Sequence, residues 1–271
     1  MEAKRDRSAW LKGPAFQCEV KPPTRARPWK LILLGAPGVG KGTQADLLSD
    51  RLGACHLSTG DIFRTAKGLE ECDRSPAMSA ALEYMKRGDL VPDTTVLEMV
   101  RERVGCLRCG GGFLLDGFPR TLAQAEALQD LMETQQIVLD AVLSYELPLE
   151  ELISRLSGRR TCEQCKAVYH VTGRPSKRES VCDQCGGKLF QREDDRPESV
   201  RVRMEAYEKS TAPLTDFYKR LGLLVTISAQ APANGVFERT MAALQAREKH
   251  VGQPDSGQAR LRRRTTNATK H

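Results

Sequence analysis

The stretch Leu31-Ile32-Leu33-Leu34-Gly35-Ala36-Pro37-Gly38-Val39-Gly40-Lys41-Gly42-Thr43-Gln44 constrains this chain more than any other. A short apolar run predicts a buried strand, and the glycine-rich segment after it predicts a loop that hands over to a helix at about Lys41. Gly35, Gly38, Gly40 and Gly42 free the backbone to curl so that its N–H groups line an anion cradle. The helix N-terminus adds unpaired N–H groups and partial positive charge, and Lys41 adds a full charge aimed at β- and γ-phosphates. The general signature puts Ser or Thr directly after the lysine, but here Gly42 intervenes before Thr43. The pattern implies a nucleotide-binding α/β protein and narrows the choice within that class.

Further strands are predicted at Cys55–Leu57, Gly112–Asp116, Asp140–Leu147 and Leu223–Ser228, with helical patterns between them, including Gly42–Leu52 and 77–87. Alternation of this kind is the sign of βαβ units and a five-stranded parallel sheet in a three-layer fold. Two segments break it. Residues 58–91 read as a small helical insert, and residues 158–195 as a cysteine-bearing insert rich in Gly, Lys and Arg.

Nine cysteines bear on that second insert. Cys162-x-x-Cys165 and Cys182-x-x-Cys185 stand 16 residues apart, the spacing of a ribbon closed by one tetrahedral metal. Four thiolates leave no open position, so the metal is structural, and the thiolates alone suit zinc or iron. The insert has too few apolar residues for a core of its own, and a metal clip supplies the missing stability. Cys106-Leu107-Arg108-Cys109 has no partner pair and reads as a loop without metal. Cys18, Cys55 and Cys72 carry no ligand spacing, and His170 reads as a hydrogen-bonding residue of the insert's hairpin.

The ordered set Ser58-Thr59-Gly60-Asp61 with Arg64, Gly88-Asp89-Leu90-Val91-Pro92-Asp93, Asp116-Gly117-Phe118-Pro119-Arg120-Thr121 with Gln124, then Arg155, Gly158-Arg159-Arg160 and Thr211-Ala212-Pro213 goes further. With the glycine loop, this set resembles the adenylate kinases, in particular their long-lid bacterial form, over roughly residues 29–248. The resemblance implies transfer of the terminal phosphoryl group of MgATP to AMP, giving two ADP, with the 58–91 insert as monophosphate clamp and the 158–195 insert as a lid carrying structural Zn²⁺. The clamp is longer than is usual for the family around Glu70–Pro76. Gly38, Val39, Gly40, Lys41, Gly42 and Thr43 are implied to hold ATP phosphates, and Arg155 to stack on the ATP base. Thr59, Arg64, Leu90, Val91, Gly117, Arg120, Gln124, Arg192 and Arg203 are implied to form the AMP site, with the Gln124 amide reading the N1/N6 edge of adenine. Arg159, Arg192 and Arg203 would surround the transferred group, and Asp116 would hold a water of the Mg²⁺ shell. Pyrimidine monophosphate kinases commonly have Asn where this chain has Thr121. The turn Ile227-Ser228-Ala229-Gln230 departs from the Asp-Gly common in the family, so the choice of ATP or GTP as donor stays open.

Such chemistry demands little proton transfer, because the acceptor phosphate is already an anionic nucleophile. Alignment, exclusion of water and charge stabilisation suffice. Formally the chain carries +7, with 40% apolar and 28% charged residues. No apolar run approaches the ~20 residues of a membrane span. Residues 1–28, with four prolines and four arginines, read as a disordered basic extension without a secretory h-region, so the expected compartment is the cytoplasm. Residues 249–271, with Arg260, Arg262, Arg263, Arg264 and Lys270, read as a disordered basic tail. The expected partners are ATP, AMP and ADP, with no membrane, no nucleic acid and no second subunit. The rivals are another nucleoside monophosphate kinase, including one using GTP, and a zinc-ribbon nucleic-acid-binding protein. Against the latter, the lid does not interleave aromatics with base-reading side chains.

Overall fold

A computed structural model of the chain describes residues 27–60, 62, 74–86, 91–102, 104–108 and 110–251. Several expectations lie outside the described residues: most of the N-terminal extension, Asp61, Arg64, the clamp loop through Cys72 and Asp73, Gly88 to Leu90, Cys18, Cys109 and the basic run of the tail.

Five parallel strands form the central sheet: β1 (Lys30–Gly35), β2 (Cys55–Ser58), β3 (Phe113–Asp116), β4 (Ala141–Glu146) and, last in the chain, β8 (Leu224–Ser228), in the order β2-β3-β1-β4-β8. Along β1, Ile32 and Leu34 enter one buried cluster with Leu57, Phe113, Leu115 and Val142. Leu31 and Leu33 enter the other, with Leu114, Ala141, Leu143 and Tyr145. Both faces are covered, which is why the strand reads as an unbroken apolar run instead of alternating. Because β3 and β4 flank β1 on opposite sides, the strand order switches direction there. The crevice beyond the carboxyl ends of these strands is where such sheets take ligands.

The helices are α1 (Lys41–Leu52), α2 (Pro76–Lys86), α3 (Asp93–Arg101), α4 (Val104–Leu107), α5 (Leu122–Thr134), α6 (Leu149–Ser157), α7 (Pro197–Ala206), α8 (Leu214–Arg220) and α9 (Ala233–Val251). A π-helical turn, Tyr207–Thr211, joins α7 to α8. Local sequence explains the boundaries. Gly53, left-handed at φ 71°, closes α1 with its N–H on Ser49 O. Thr121 caps α5 by accepting from the Gln124 N–H, and Pro197 opens α7, where its missing N–H costs nothing. Among the described residues, no helix is long and apolar enough to cross a membrane.

One local expectation is corrected. The segment read as a loop at Cys106–Cys109 contributes to a helical turn, α4, because Leu107 is wholly buried in the core and pulls the chain inward.

The lid insert is a three-stranded antiparallel sheet with β5 (Arg159–Cys162) at its centre, flanked by β6 (Val168–His170) and β7 (Leu189–Phe190). Its buried apolar cluster comprises Cys162, Ala167, Tyr169, Cys182 and Leu189.

Candidate active site

The loop after β1 wraps the end of the central strand. Gly35, Gly38 and Gly40 take φ of 138°, 86° and 103°, a path closed to residues with a side chain. Gly42 behaves differently from the expectation. It lies within α1, where a Cβ would meet Asp116 Oδ2 at 3.7 Å, an ordinary contact. Its missing side chain leaves room between the helix and that carboxylate and does not bend the loop. Val39 is buried and anchors the loop in the core, while Thr43 sits half-buried in the first turn. No side chain caps α1, so its first-turn N–H groups stay directed at the crevice.

Lys41 Nζ donates to Gly35 O at 2.6 Å and Ala36 O at 3.1 Å. Burial pushes its pKa down to about 8; Asp116 opposes that, and Arg120, Arg203 and Arg159 reinforce it. These three guanidiniums come from the loop after β3, from α7 and from β5. Three cations from three parts of the chain therefore act on Lys41, an arrangement suited to a polyanion.

Two of the arginines are aimed by one buried acid. Arg159 forks onto both carboxylate oxygens of the fully buried Asp195. Arg203 Nη1 reaches Asp195 Oδ1 at 3.4 Å, Asp194 Oδ2 at 3.0 Å and Asp194 O at 2.8 Å. Arg192 Nε donates to Thr161 Oγ1 at 2.9 Å. Arg155 bridges the phosphate loop and the turn after β8, donating to Val39 O and Ala229 O.

Asp116 ends β3 beside the loop. Burial pushes its carboxyl up, but the adjacent His56 and the charges of Lys41 and Arg120 outweigh that and hold it below the usual carboxylate range. His56, on β2, puts Nε2 3.5 Å from Asp116 Oδ2, a charge contact longer than a formed hydrogen bond, and Nδ1 3.3 Å from Asp46 Oδ1. Burial alone would lower the His56 pKa; the two carboxylates win and raise it to about 9.

Among the residues expected to form the AMP site, Thr59 is buried and donates to Gly117 O at 2.8 Å. Gly117 has φ 79°, and a Cβ there would stand 2.8 Å from Thr59 Oγ1 and 3.2 Å from Arg120 Nη2. Only glycine admits that approach. Arg120 Nε folds back onto Gly117 O at 2.7 Å, and Thr211, from the π turn, donates to Arg120 O at 2.9 Å. Val91 packs against the core at the entry to α3. Gln124 is buried, with its amide held between Asp93 and the Arg120 N–H.

In the lid, the Sγ atoms of Cys162, Cys165, Cys182 and Cys185 all lie within 4.8 Å of one another, with contacts of 3.4 Å (Cys162–Cys185) and 3.5 Å (Cys165–Cys182). Tetrahedral ligands at a metal–sulfur distance of about 2.3 Å stand about 3.8 Å apart, so the cluster fits one structural ion. Lys166 and Gly186, each directly after the second cysteine of its pair, are left-handed at φ 61° and 73°, which turns each pair into a tight knuckle. Tyr169 Oη lies 3.5 Å from Cys182 Sγ and accepts from the Asp183 N–H at 2.9 Å. His170 accepts on Nδ1 from the N–H groups of Thr172 and Gly173. That leaves Nε2–H for Ser154 O at 3.3 Å, which ties the hairpin to α6.

The family model for adenylate kinase matches residues 33–223. An adenylate kinase of Carboxydothermus hydrogenoformans is 50% identical over 216 residues, spanning 80% of this chain and 99% of that protein. One from Bacillus licheniformis is 46% identical over 219 residues, 81% of this chain and 99% of its own. The chain belongs to the adenylate kinase family. Similarity extends to an archaeal member, from Archaeoglobus fulgidus, 45% identical over 217 residues. The four-cysteine insert fits the long-lid form of adenylate kinase that the motifs resemble.

Four carboxylates (Asp46, Asp93, Asp194 and Asp195) and His56 at this site escaped the sequence reading. Asp195 stands close behind Arg192, where an acid beside a basic cluster is a usable sign of an aiming partner. His56 is a polar residue in a strand expected to be buried, a placement that calls for paired neighbours; Asp46, one helical face away on α1, carried no such mark. Asp93 was read only as part of a string, because nothing local says that it faces a segment 31 residues downstream.

Proposed function

We propose that the chain catalyses reversible transfer of the terminal phosphoryl group from MgATP to AMP, giving two ADP and keeping adenine nucleotides in balance. The observation that carries this reading is that Arg120, Arg159 and Arg203, from three separate parts of the chain, all bring their charge to bear on Lys41 at the loop after β1. In the forward direction an AMP phosphate oxygen forms a bond to the γ-phosphorus of ATP as the bond to the β–γ bridging oxygen breaks, and ADP leaves. No side chain has to remove a proton. The residues' work is to hold and align two anions and to stabilise charge as it spreads over the transferred group.

In this reading the loop Gly38–Thr43 and Lys41 bind ATP phosphates, and Arg155 packs on its base beside the turn after β8. Arg120 grips the AMP phosphate, with Arg64 as its partner from the clamp, and Thr59, Leu90, Val91, Gly117 and Gln124 enclose the acceptor nucleoside. Arg159, Arg192 and Arg203 close over the transferred group, with Asp194 and Asp195 fixing the forks of two of them. Asp116, half-buried and ionised at the end of β3, suits a water of the Mg²⁺ shell; that ion would supply neutralisation of the β- and γ-oxygens when bound. We assign the lid cluster to Zn²⁺. The reading includes residues 29–248 as the kinase domain, with 58–91 as clamp and 158–195 as lid, in a cytoplasmic monomer.

A coupled assay offering ATP with AMP, GMP, UMP or CMP, then GTP with AMP, tests it. AMP is expected to be preferred by at least two orders of magnitude. Preference for UMP or CMP would overturn the acceptor assignment, and equal use of GTP would broaden the donor.

A further inference from the structure

We propose that Asp93 is a specificity-determining residue: it locks the polarity of the Gln124 amide so that the acceptor site takes a 6-amino purine and refuses a 6-oxo purine. The inference rests on the reading that Gln124 faces the base of the acceptor nucleotide.

Four hydrogen bonds form a closed set around the start of α5. Gln124 Nε2 donates to Asp93 Oδ1 at 2.6 Å, and Gln124 Oε1 accepts from the Arg120 N–H at 2.8 Å. Thr121 Oγ1 donates to Asp93 Oδ2 at 2.8 Å and accepts from the Gln124 N–H at 3.2 Å. An amide oxygen and nitrogen are alike in shape, so orientation has to be argued from partners. Here chemistry decides. An ionised carboxylate only accepts and a backbone N–H only donates, so the amide can sit one way round.

A glutamine amide has two N–H donors and two acceptor lone pairs. Asp93 and Arg120 take one of each, and the remaining donor and acceptor keep the same fixed sense. The free lone pair on Oε1 matches the N6 amino group of adenine, and the free N–H on Nε2 matches N1. Hypoxanthine and guanine show the reverse pattern, an acceptor at O6 and a donor at N1. To satisfy them the amide would have to turn over, placing Oε1 against the Asp93 carboxylate and Nε2 against the Arg120 N–H. Both contacts would then be like against like, inside a site where Gln124 is only 4% exposed, and buried unpaired polar groups are costly. Rejection of this kind, through a buried polar group left unpaired, discriminates far better than shape does.

The network also explains why two separate elements meet here. Asp93 is the first residue of α3, behind Pro92, and Thr121 is the N-cap of α5. The carboxylate therefore joins the starts of two helices and hands the register of one to the amide of the other. The loop residue Arg120 is pinned in the same set, so base reading and phosphate binding share one frame.

Inosine monophosphate isolates the effect, because it differs from AMP only at position 6 and N1 and lacks the 2-amino group of GMP. Parent, Asp93→Asn and Gln124→Ala are compared by kcat/KM with AMP and with inosine monophosphate at saturating ATP. The parent is expected to favour AMP by at least a hundredfold. Asparagine can present either polarity, so Asp93→Asn is expected to narrow that ratio about tenfold, the cost of one lost charge-assisted contact. Gln124→Ala is expected to erase most of it. A purely structural role for Asp93 would lower both nucleotides together, and a ratio within twofold of the parent in Asp93→Asn, with Gln124→Ala collapsing it, would overturn the inference while leaving the base reading intact. A ratio unmoved by Gln124→Ala would overturn the base reading itself. Should Asp93→Asn fail to fold, the parent alone decides: use of inosine monophosphate within tenfold of AMP contradicts a locked amide.

Discussion

The crevice and the lid solve the same problem, holding arginines in place, with different physics. Behind the crevice lies a five-stranded sheet with an apolar cluster on each face. Asp116 ends β3 with its backbone fixed by parallel pairing, and Lys41 opens α1 just beyond β1. In the lid, β5 carries Arg159 on a three-stranded sheet whose buried cluster is built around two of its own cysteines. A domain that buries large apolar area tolerates charge at its rim, whereas a small insert needs a covalent-strength clip to hold any geometry at all. The two are joined through Asp195, which sits at the lid's return to α7 and holds one arginine from each side. Chemistry and stability should therefore be separable by mutation in the crevice and separable by metal in the lid.

The largest expected effect is chemical. Lys41→Met should lower kcat by about 10²–10³, as removal of a preorganised charge at a developing anion does. The melting temperature should hold or rise, because a buried charge depressed to a pKa of about 8 is removed. Steady-state kinetics with a thermal melt on the same sample checks both. A large fall in stability would mean that the crevice is as fragile as the lid.

Next comes Arg120→Lys, which keeps charge but loses the planar fork. The KM for AMP should rise roughly ten- to hundredfold, in line with loss of a charge-assisted bidentate contact, with ATP affinity changed much less. Titration calorimetry with each nucleotide separates the two. ATP binding lost and AMP binding kept would show that the two sites are assigned the wrong way round.

Cys182→Ser sharpens the contrast from the other side. Metal content should fall from about one per chain towards zero, and the lid should melt well below the sheet. Activity at low temperature should drop only several-fold, since the thiolates do not touch nucleotide. Changing both Cys106 and Cys109 to Ser should leave metal content alone.

The smallest effect is a pH dependence in the crevice. The folded state raises the His56 pKa from 6.5 to about 9. Its charged form is thus favoured by folding, and the stabilisation is complete below pH 6.5 and disappears as pH rises through 9. His56→Gln should therefore cost most in melting temperature near pH 6, and the gap to the parent should close towards pH 9.5. A gap that stays constant over that range would place the role of His56 in packing, not charge.

The fold was legible because its signals are local and repeated. An apolar run such as Leu31–Leu34 followed by glycines, or two Cys-x-x-Cys pairs, names its own element without reference to the rest of the chain. The cations stood out for a second reason: several sit in motifs, such as Phe118-Pro119-Arg120, that carry the resemblance to the family. Less legible were the acids that hold the site's side chains in place. Asp195 reaches Arg159 from 36 positions away, and Asp93 reaches Gln124 from 31; such pairings are set by how helices and strands dock, and although an acid near Arg192 hints at the first, no periodicity encodes either. The helix expected from about Lys41 does begin there, and only the grouping of Gly42 with the curling glycines needs correction: it lies inside the helix and takes no left-handed φ. Leu107 shows the reverse case, a residue in a polar, cysteine-flanked stretch whose complete burial follows only from the neighbouring helices.

Hydrogen exchange on the full chain, before and after removal of the metal by a strong chelator, tests the division between crevice and lid most directly. The metal-loaded protein should contain about one metal ion per chain and protect amides in both regions. After chelation, amides of β5 and β6 should lose their protection, while those of Leu31–Leu34, Leu114 and Val142 keep theirs. Lid amides that remain protected without metal, or sheet amides that open together with the lid, would contradict the account.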